Sequence, residues 1–355
     1  MSALLMRQGP RALLVVLFAL VCVACASVSQ APGQPVQSAN DDYQYRLLTL
    51  PNAMRVLLIS DPDATKGAAS LDVKVGSGDN PVGREGLAHF LEHMLFLGTD
   101  KYPDPAEYER YITEHGGSRN AYTSFENTNY FFDVNAAYLP EALDRFAQFF
   151  IAPKFDAAYV DREKNAVEAE YQMGLKSDPR RGLDVLQEVI NPAHPYSQFS
   201  VGSLETLADR PGSDIRDELI NFYQTYYSAN IMKLVVLGSQ SLDELEALVV
   251  PMFSAIPDHS YQQAEVGVPL FQEGSLPMVV RFQPQATQRQ LDLSFPIPDY
   301  REDYRKKPVS YLSNLVGHEG DGSLLSQLKA EGLAEGLAAG TGLTWPGGAM
   351  FSVSV

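Results

Sequence analysis

The succession of strand and helix patterns between residues 43 and 255 constrains the fold more than any other feature of this 355-residue sequence. In ASLDVKVGSG, Leu71, Val73 and Val75 alternate with charged residues, which is typical of a strand with one buried face. The apolar run IMKLVVLGS at residues 231–239 predicts a buried strand. Because strands and helices are interspersed, the segment predicts an α/β (α+β layered) domain in which a mixed β-sheet packs against helices.

Further patterns fill the same segment. Strands are predicted at residues 53–60 and on both sides of a turn near Glu126, within residues 118–135. Helices are predicted at residues 84–97, 105–115, 139–150, 157–176 and 242–253, with further helical segments through 214–227. Five phenylalanines are expected in the core: Phe131, Phe132, Phe146, Phe149 and Phe150. Together these features predict one complete domain with its own core.

A change of composition at residues 256–277 predicts an extended linker that is punctuated by Pro and Gly. Beyond the linker, a strand–strand–helix order restarts, with strands predicted at residues 278–284 and 290–298 and a helix at 306–316. The apolar stretch GAMFSVSV predicts a last strand with nothing after it to complete a layer. We therefore expect residues 278–355 to form an incomplete second domain.

The first 26 residues have the layout of a secretory signal peptide. Arg7 and Arg11 precede an apolar stretch that is shorter than the ~20 residues of a membrane-spanning helix. A general signal peptidase would cut after Ala26, whereas a lipoprotein peptidase would cut before Cys25 and leave a lipid on it. Since Cys22 is the other cysteine of the chain, the mature protein is expected to have no internal disulfide in either case.

Residues 27–42 are rich in Ser, Gln, Pro and Ala and predict a flexible linker, of the kind that a membrane-anchored protein needs. With the signal peptide, the linker predicts export to a bacterial periplasm, either as a free protein or as a lipoprotein anchored at Cys25. The 44 acidic and 27 basic side chains give a formal net charge of -17. This charge repels phosphate groups, so no nucleic acid is expected as a partner.

The apolar stretch GLAHFLEHMLFLGTDKYP contains His89 and His93, with Glu92 directly before the second histidine. Residues four apart lie on one face of a helix, so both imidazoles can reach one point while Glu92 lies on the adjacent flank. A catalytic zinc takes three protein ligands and leaves its fourth position to water, whose proton a nearby carboxylate can accept. The HxxEH order is the inverzincin pattern. The alternative is a helix whose histidines are merely polar neighbours.

The helix predicted at residues 157–176 offers a third ligand. Glu163 and Glu170 are seven residues apart, which is two turns along one helix face. Glu170 could bind zinc while Glu163 orients one of the ligands from outside the coordination shell. Glu168 is expected on a solvated face.

Several segments together resemble the insulinase or pitrilysin family of zinc metallopeptidases, also called M16. The resemblance is to the N-terminal portion of the long, insulysin-like branch that includes protease III, and it runs from about Tyr45 to Val355. It is carried by HFLEHMLFLGTDKYP, EKNAVEAEYQ, GGSRNAYTSFENTNYFFDV, NPAHPYSQFSVGSLETL and LVGHEGDGSLLSQLKAEG. The separation of His93 from Glu170 along the chain matches the family's distal glutamate.

The resemblance implies a role for each site residue. The family's zinc ligands correspond to His89, His93 and Glu170, which would hold one Zn²⁺ per chain. Glu92 would be the base that activates water, and Glu163 would support the catalytic site. Asn120 and Ala121 lie in the segment that, in the family, adds a substrate peptide to a sheet edge. The implied activity is that of a zinc-dependent endopeptidase acting on oligopeptides and small polypeptides.

The same resemblance implies that residues 43–255 are the N-terminal catalytic zinc domain of an M16 protein and that residues 278–355 are part of a second domain. Members of the long branch have two halves that close around the peptide, and the second half contributes an Arg and a Tyr that help to hold the substrate. We expect either a truncated piece of a longer product or a protein that acquires its second half from a partner. A catalytically inactive zinc-binding M16-like subunit is the alternative function, although an inactive protein would have no need to keep Glu92.

Overall fold

The computed structural model describes residues 35–355. The predicted signal peptide, with Cys22 and Cys25, and residues 27–34 of the predicted linker lie outside the described residues. The strands are β1 (Gln44–Thr49), β2 (Arg55–Ser60), β3 (Lys66–Val73), β4 (Ser118–Thr123), β5 (Thr128–Asn135), β6 (Met232–Gly238), β7 (Asp292–Pro298), β8 (Ala338–Trp345) and β9 (Gly348–Ser354). The helices are α1 (Leu87–Leu95), α2 (Glu107–Glu114), α3 (Leu139–Ile151), α4 (Ala157–Gly174), α5 (Asp178–Val189), α6 (Ile215–Tyr226), α7 (Leu242–Phe253), α8 (Pro308–Val316) and α9 (Leu324–Ala330).

The first six strands form one mixed sheet in the order β1-β2-β6-β3-β5-β4. Strands β2 and β6 run parallel, and the other neighbouring pairs are antiparallel. Leu71, Val73 and Val75 are fully buried, as their alternation with charged residues predicts. The predicted α/β class and the mixed β-sheet packed against helices are confirmed. Strand β4 lies at one edge of this sheet, so one side of its main chain is not paired with another strand of the sheet.

Helices α1, α3, α6 and α7 bury side chains in the same core as the sheet. Phe132 of β5 and three phenylalanines of α3, at positions 146, 149 and 150, are buried, as predicted. The prediction is wrong for Phe131, whose exposed fraction is 38%. Successive side chains of a strand point to opposite faces of the sheet, so burial of Phe132 turns Phe131 outward.

Beyond the first sheet, β7, β9 and β8 form a three-stranded antiparallel sheet, and α8 packs on β8. The prediction of a strand at residues 278–284 is wrong, because this segment is irregular and pairs with no strand of the described range. Its continuation is held instead by Asp178, whose carboxylate accepts the backbone N–H groups of Gln285 (2.7 Å) and Ala286 (3.0 Å). An apolar pattern alone does not make a strand where no partner edge is available.

A small apolar cluster joins the two parts of the chain, with Ile190 and Tyr196 on one side and Leu270, Trp345 and Met350 on the other. The domain limits 43–255 and 278–355, and the linker between them, stay predictions. Residues 35–355 contain no helix with both the length and the apolar character needed to span a membrane.

Candidate metal centre

Helix α1 presents His89 and His93 because its opposite face is apolar and buried. The helix is preceded by Gly86, its N-cap residue, whose φ of 88° lies in the left-handed region that favours glycine. A Cβ at Gly86 would lie 2.2 Å from the Cα of Gly202, so the start of α1 packs directly against a distant loop. The apolar side chains that anchor the helix are Leu87, Phe90, Leu91, Met94 and Leu95.

Helix α4 packs against α1 and carries Glu163 and Glu170. It begins after Asp156, whose carboxylate accepts the N–H of Ala158 at 3.0 Å and so caps the helix. Both Glu163 and Glu170 face the histidines of α1, as their seven-residue spacing predicts. Glu168 lies outside this group, where its carboxylate accepts the backbone N–H of Leu204 at 2.8 Å.

The distances between the candidate ligand atoms fit a zinc ion. The Nε2 atoms of His89 and His93 are 3.3 Å apart. Each lies 3.5 Å from a carboxylate oxygen of Glu170. Two donor atoms that are each about 2.0–2.1 Å from a tetrahedral zinc lie about 3.3–3.4 Å apart. Two imidazoles and one carboxylate are also a donor set that zinc prefers, so the residues present fit the metal that the resemblance implies.

The other nitrogen of each imidazole is held by a partner outside the metal centre. His89 Nδ1 donates to the backbone carbonyl of Val201 at 2.7 Å, and His93 Nδ1 lies 3.3 Å from Glu163 Oε2. The second oxygen of Glu163 accepts a hydrogen bond from Arg162 Nε at 2.9 Å. These contacts favour the proton on Nδ1 of both rings, which leaves both Nε2 lone pairs free for a metal.

Glu92 lies beside the candidate ligands but is not one of them. Its exposed fraction is 8%, and its Oε2 accepts a hydrogen bond from the Thr123 hydroxyl at 2.5 Å. Burial raises the pKa of Glu92 above its usual value, although the Thr123 hydrogen bond and the two histidines oppose the change. A buried carboxylate with a raised pKa beside a metal-ligand cluster is suited to accept and release a proton.

The charges of the ligand groups are coupled to one another. The hydrogen bond to His89, against the effect of burial, lowers the pKa of Glu170 below its usual value. Burial alone would lower the pKa of His89, but the Glu170 carboxylate and the Val201 carbonyl raise it. The carboxylates of Glu163 and Glu170, whose pKa values are both lowered, therefore stay ionised and make the centre attractive to a cation.

Asn120 and Ala121 lie in the middle of the edge strand β4. The N–H of Ala121 is bonded at 2.9 Å to the side-chain Oδ1 of Asn120 rather than to a neighbouring strand. An edge strand offers unpaired main-chain groups to another chain. Strand β4 also contacts α1, so the edge runs past the metal centre.

Three contacts of the site have no counterpart among the residues predicted from sequence. They are the Thr123 hydroxyl on Glu92, the Val201 carbonyl on His89 and the Arg162 guanidinium on Glu163. The two-residue period of β4 places Thr123 on the same face as Ala121, which is the one sequence signal that points towards it.

The comparison with known proteins agrees with this geometry. A family sequence profile described as Insulinase (Peptidase family M16) matches residues 55–194, and one described as Peptidase M16 inactive domain matches residues 214–355. The chain belongs to the insulinase, or M16, family. The predicted membership is thereby confirmed.

Two curated relatives are considerably longer than this chain. The insulin-degrading enzyme of Homo sapiens is 45% identical over 307 residues, which cover 86% of this chain and 30% of the relative. The A-factor-processing enzyme of Saccharomyces cerevisiae is 43% identical over 318 residues, which cover 89% of this chain and 31% of the relative. The chain thus spans about a third of the length of these curated relatives.

The crystal structure of pitrilysin is similar to this M16 chain over most of its length. It superposes with a TM-score of 0.85 at 36% sequence identity, covering 90% of this chain and 35% of the pitrilysin chain. The pitrilysin-like α/β fold is therefore established for this chain.

Proposed function

We propose that this M16 chain carries a zinc-dependent endopeptidase site that hydrolyses peptide bonds in oligopeptides and small polypeptides. The observation that carries the proposal is the convergence of His89, His93 and Glu170 at separations of 3.3–3.5 Å, with the buried Glu92 beside them. Membership of a peptidase family supports the reaction class. Because the chain spans about a third of its relatives, the activity is proposed for the site, with or without further chain segments.

We assign one Zn²⁺ per chain to the nitrogens of His89 and His93 and the carboxylate of Glu170. Zinc held there would lower the pKa of a bound water towards ~7 and polarise a peptide carbonyl. Val201 and Glu163 keep the protons of the histidines on Nδ1, so both rings bind through Nε2. Glu163 therefore acts as a positioning residue for His93.

Glu92 accepts a proton from the attacking water at its carboxylate and then passes it to the amine that leaves. The raised pKa of Glu92 suits both steps, because a group that titrates nearer to neutral pH can take up and release the proton. The side chain of Glu92 is buried, so little solvent competes for its carboxylate.

The edge strand β4 supports a binding mode for the substrate. A peptide that pairs with this edge replaces the Asn120 side chain at the N–H of Ala121 and gains main-chain hydrogen bonds. Main-chain pairing makes few demands on side chains, in keeping with substrates of varied sequence. We propose peptides as the partners of this chain, and no nucleic acid.

Two further proposals concern the surroundings of the site. A second M16 half, supplied by a longer product or by a partner, would complete a chamber around the peptide. The sequence features of residues 1–42 support export to a bacterial periplasm, with a lipid anchor at Cys25 or with cleavage after Ala26. Relatives from yeast and human show that the family is also present in eukaryotes.

The proposal is tested by measuring zinc content and cleavage of a mixed-peptide pool for the purified chain and for Glu92→Gln. We expect both proteins to bind zinc and the variant to lose at least about 100-fold in rate, because general base catalysis contributes on that order. A variant that cleaves at the wild-type rate would show that Glu92 is not the base. A wild-type chain that binds no zinc would overturn the proposal as a whole.

A further inference from the structure

The Thr123 hydroxyl is the one hydrogen-bond donor that reaches the Glu92 carboxylate from the described part of the chain. It donates to Oε2 at 2.5 Å, and no described residue donates to Oε1. Thr123 is the last residue of β4, whereas Glu92 lies in α1 among the metal-binding histidines. The contact therefore joins the edge strand to the helix at the carboxylate that we propose accepts the proton.

The neighbours of Thr123 leave its hydroxyl proton free for Glu92. Thr123 pairs with Thr128 across the β4–β5 hairpin, and Thr128 is fully buried. The hydroxyl of Thr128 donates to the backbone carbonyl of Val75 at 2.9 Å and lies 3.5 Å from that of Thr123. Since Thr128 uses its own proton on Val75, it does not compete for the Glu92 carboxylate.

Strand β5, which pairs with β4 at Thr123, is itself anchored in the core. The hydroxyl of its Tyr130 lies 2.8 Å from the hydroxyl of Tyr227, and both rings are buried. The backbone of Thr123 is therefore held by β5, which fixes where its side chain meets α1.

We infer that Thr123 is a positioning residue that sets the direction of the Glu92 carboxylate; this inference rests on the proposed function. A glutamate side chain has three rotatable bonds, and α1 fixes only its backbone. The hydrogen bond to Oε2 holds the carboxylate in one rotamer and leaves Oε1 free to take the proton. Thr123 is not one of the candidate zinc ligands His89, His93 and Glu170, and its hydroxyl is hydrogen-bonded to Glu92.

The test compares Thr123→Val with Thr123→Ser in the zinc-loaded chain, using a peptide that the wild-type protein cleaves. Valine keeps the shape and the strand preference of threonine but lacks the hydroxyl, whereas serine keeps the hydroxyl. We expect Thr123→Val to lose about 10- to 100-fold in kcat, the size typical of a lost hydrogen bond to a charged group, with KM within about twofold. Thr123→Ser should recover most of kcat, and all proteins should bind equal zinc.

Thr49→Val is the matched control, because Thr49 ends the exposed strand β1 at the opposite edge of the sheet. It should keep the wild-type kcat. The inference is overturned if Thr123→Val keeps kcat, if Thr123→Ser loses as much as Thr123→Val, or if the control loses as much as either. A wild-type chain that binds no zinc overturns the proposed function, and this inference with it.

A second measurement needs no activity. The melting temperatures of zinc-free Thr123→Val, Glu92→Ala and the double variant report whether the two side chains are coupled. We expect Thr123→Val to lower the melting temperature of the wild-type protein and to have a much smaller effect in the Glu92→Ala background. Equal shifts in both backgrounds would mean that the hydroxyl does not act on Glu92.

Discussion

Replacement of Glu163 by glutamine should weaken zinc binding without removing a ligand. Glu163 Oε2 lies 3.3 Å from His93 Nδ1, and its side chain is 13% exposed. Glutamine has nearly the same size and can still accept a hydrogen bond, but it carries no charge. The variant therefore removes the electrostatic part of the contact that holds His93 in its metal-binding orientation.

The expected size of the effect follows from the geometry. Groups that hydrogen-bond to a metal-binding histidine typically contribute 10- to 100-fold to metal affinity, or about 1.4–2.7 kcal/mol. The 3.3 Å separation is long for such a bond, and Arg162 already neutralises part of the Glu163 charge. We therefore expect a loss near the lower end, about tenfold in the dissociation constant for zinc.

The assay is competition for zinc between the protein and a chelating indicator at fixed pH. Glu168→Gln is the matched control, since Glu168 lies on the same helix α4 and bonds the Leu204 N–H away from the metal centre. Glu168→Gln should bind zinc as the wild type does. If Glu163→Gln also binds like the wild type, or if both variants weaken equally, Glu163 does not position His93.

The remaining predictions concern stability. Gly86→Ala should lower both the melting temperature and zinc occupancy, because φ is 88° and a Cβ would lie 2.2 Å from Gly202 Cα; an unchanged melting temperature would contradict this. Burial raises the pKa of Asp79 to about 6, above its unfolded value of about 3.9. The folded state therefore binds the carboxyl proton of Asp79 more tightly than the unfolded state does. The stability that this protonation contributes is lost as pH rises from about 4 to 6. Denaturant titrations should show Asp79→Asn gaining up to about 3 kcal/mol relative to the wild type between pH 4 and 7, whereas a constant difference would refute the assignment. Leu71→Ala should cost about 2–5 kcal/mol in unfolding free energy because Leu71 is fully buried, and Leu47→Ala, at a side chain 50% exposed, should cost much less; equal losses would argue against the core assignment.

Local periodicity predicted which side chains of each helix share a face, and the resemblance implied that the two faces meet. The four-residue spacing of His89 and His93 and the seven-residue spacing of Glu163 and Glu170 each fix which side chains share a helix face. The structure brings the two helix faces together, as the resemblance to M16 peptidases implies. The catalytic and ligand roles of these residues stay predictions until they are measured.

The contacts that support the centre could not be predicted in the same way. Val201 meets His89 only because a loop more than a hundred residues away packs on Gly86, and no local pattern encodes that approach. Thr123 meets Glu92 through the pairing of β4 with β5 and the packing of α1 on β4. Such contacts depend on the tertiary arrangement, which sequence periodicity does not specify.

Two predictions from the sequence are wrong, and for different physical reasons. Phe131 was expected in the core because it is aromatic, but the strand period makes it face away from Phe132. Residues 278–284 have the apolar content of a strand and lack a partner edge within the described chain, so the segment stays irregular. Apolar content alone does not determine whether a residue is buried or a segment forms a strand; strand pairing and the strand period do.

X-ray absorption at the zinc edge, on the purified chain loaded with one equivalent of zinc, reports which side chains bind the metal. We predict stoichiometric zinc with two imidazole nitrogens and one carboxylate oxygen at about 2.0–2.1 Å, completed by a light atom from solvent. His93→Ala should lose one imidazole contribution. Zinc that binds without imidazole ligands, or a spectrum that His93→Ala leaves unchanged, would contradict the assignment of the metal centre.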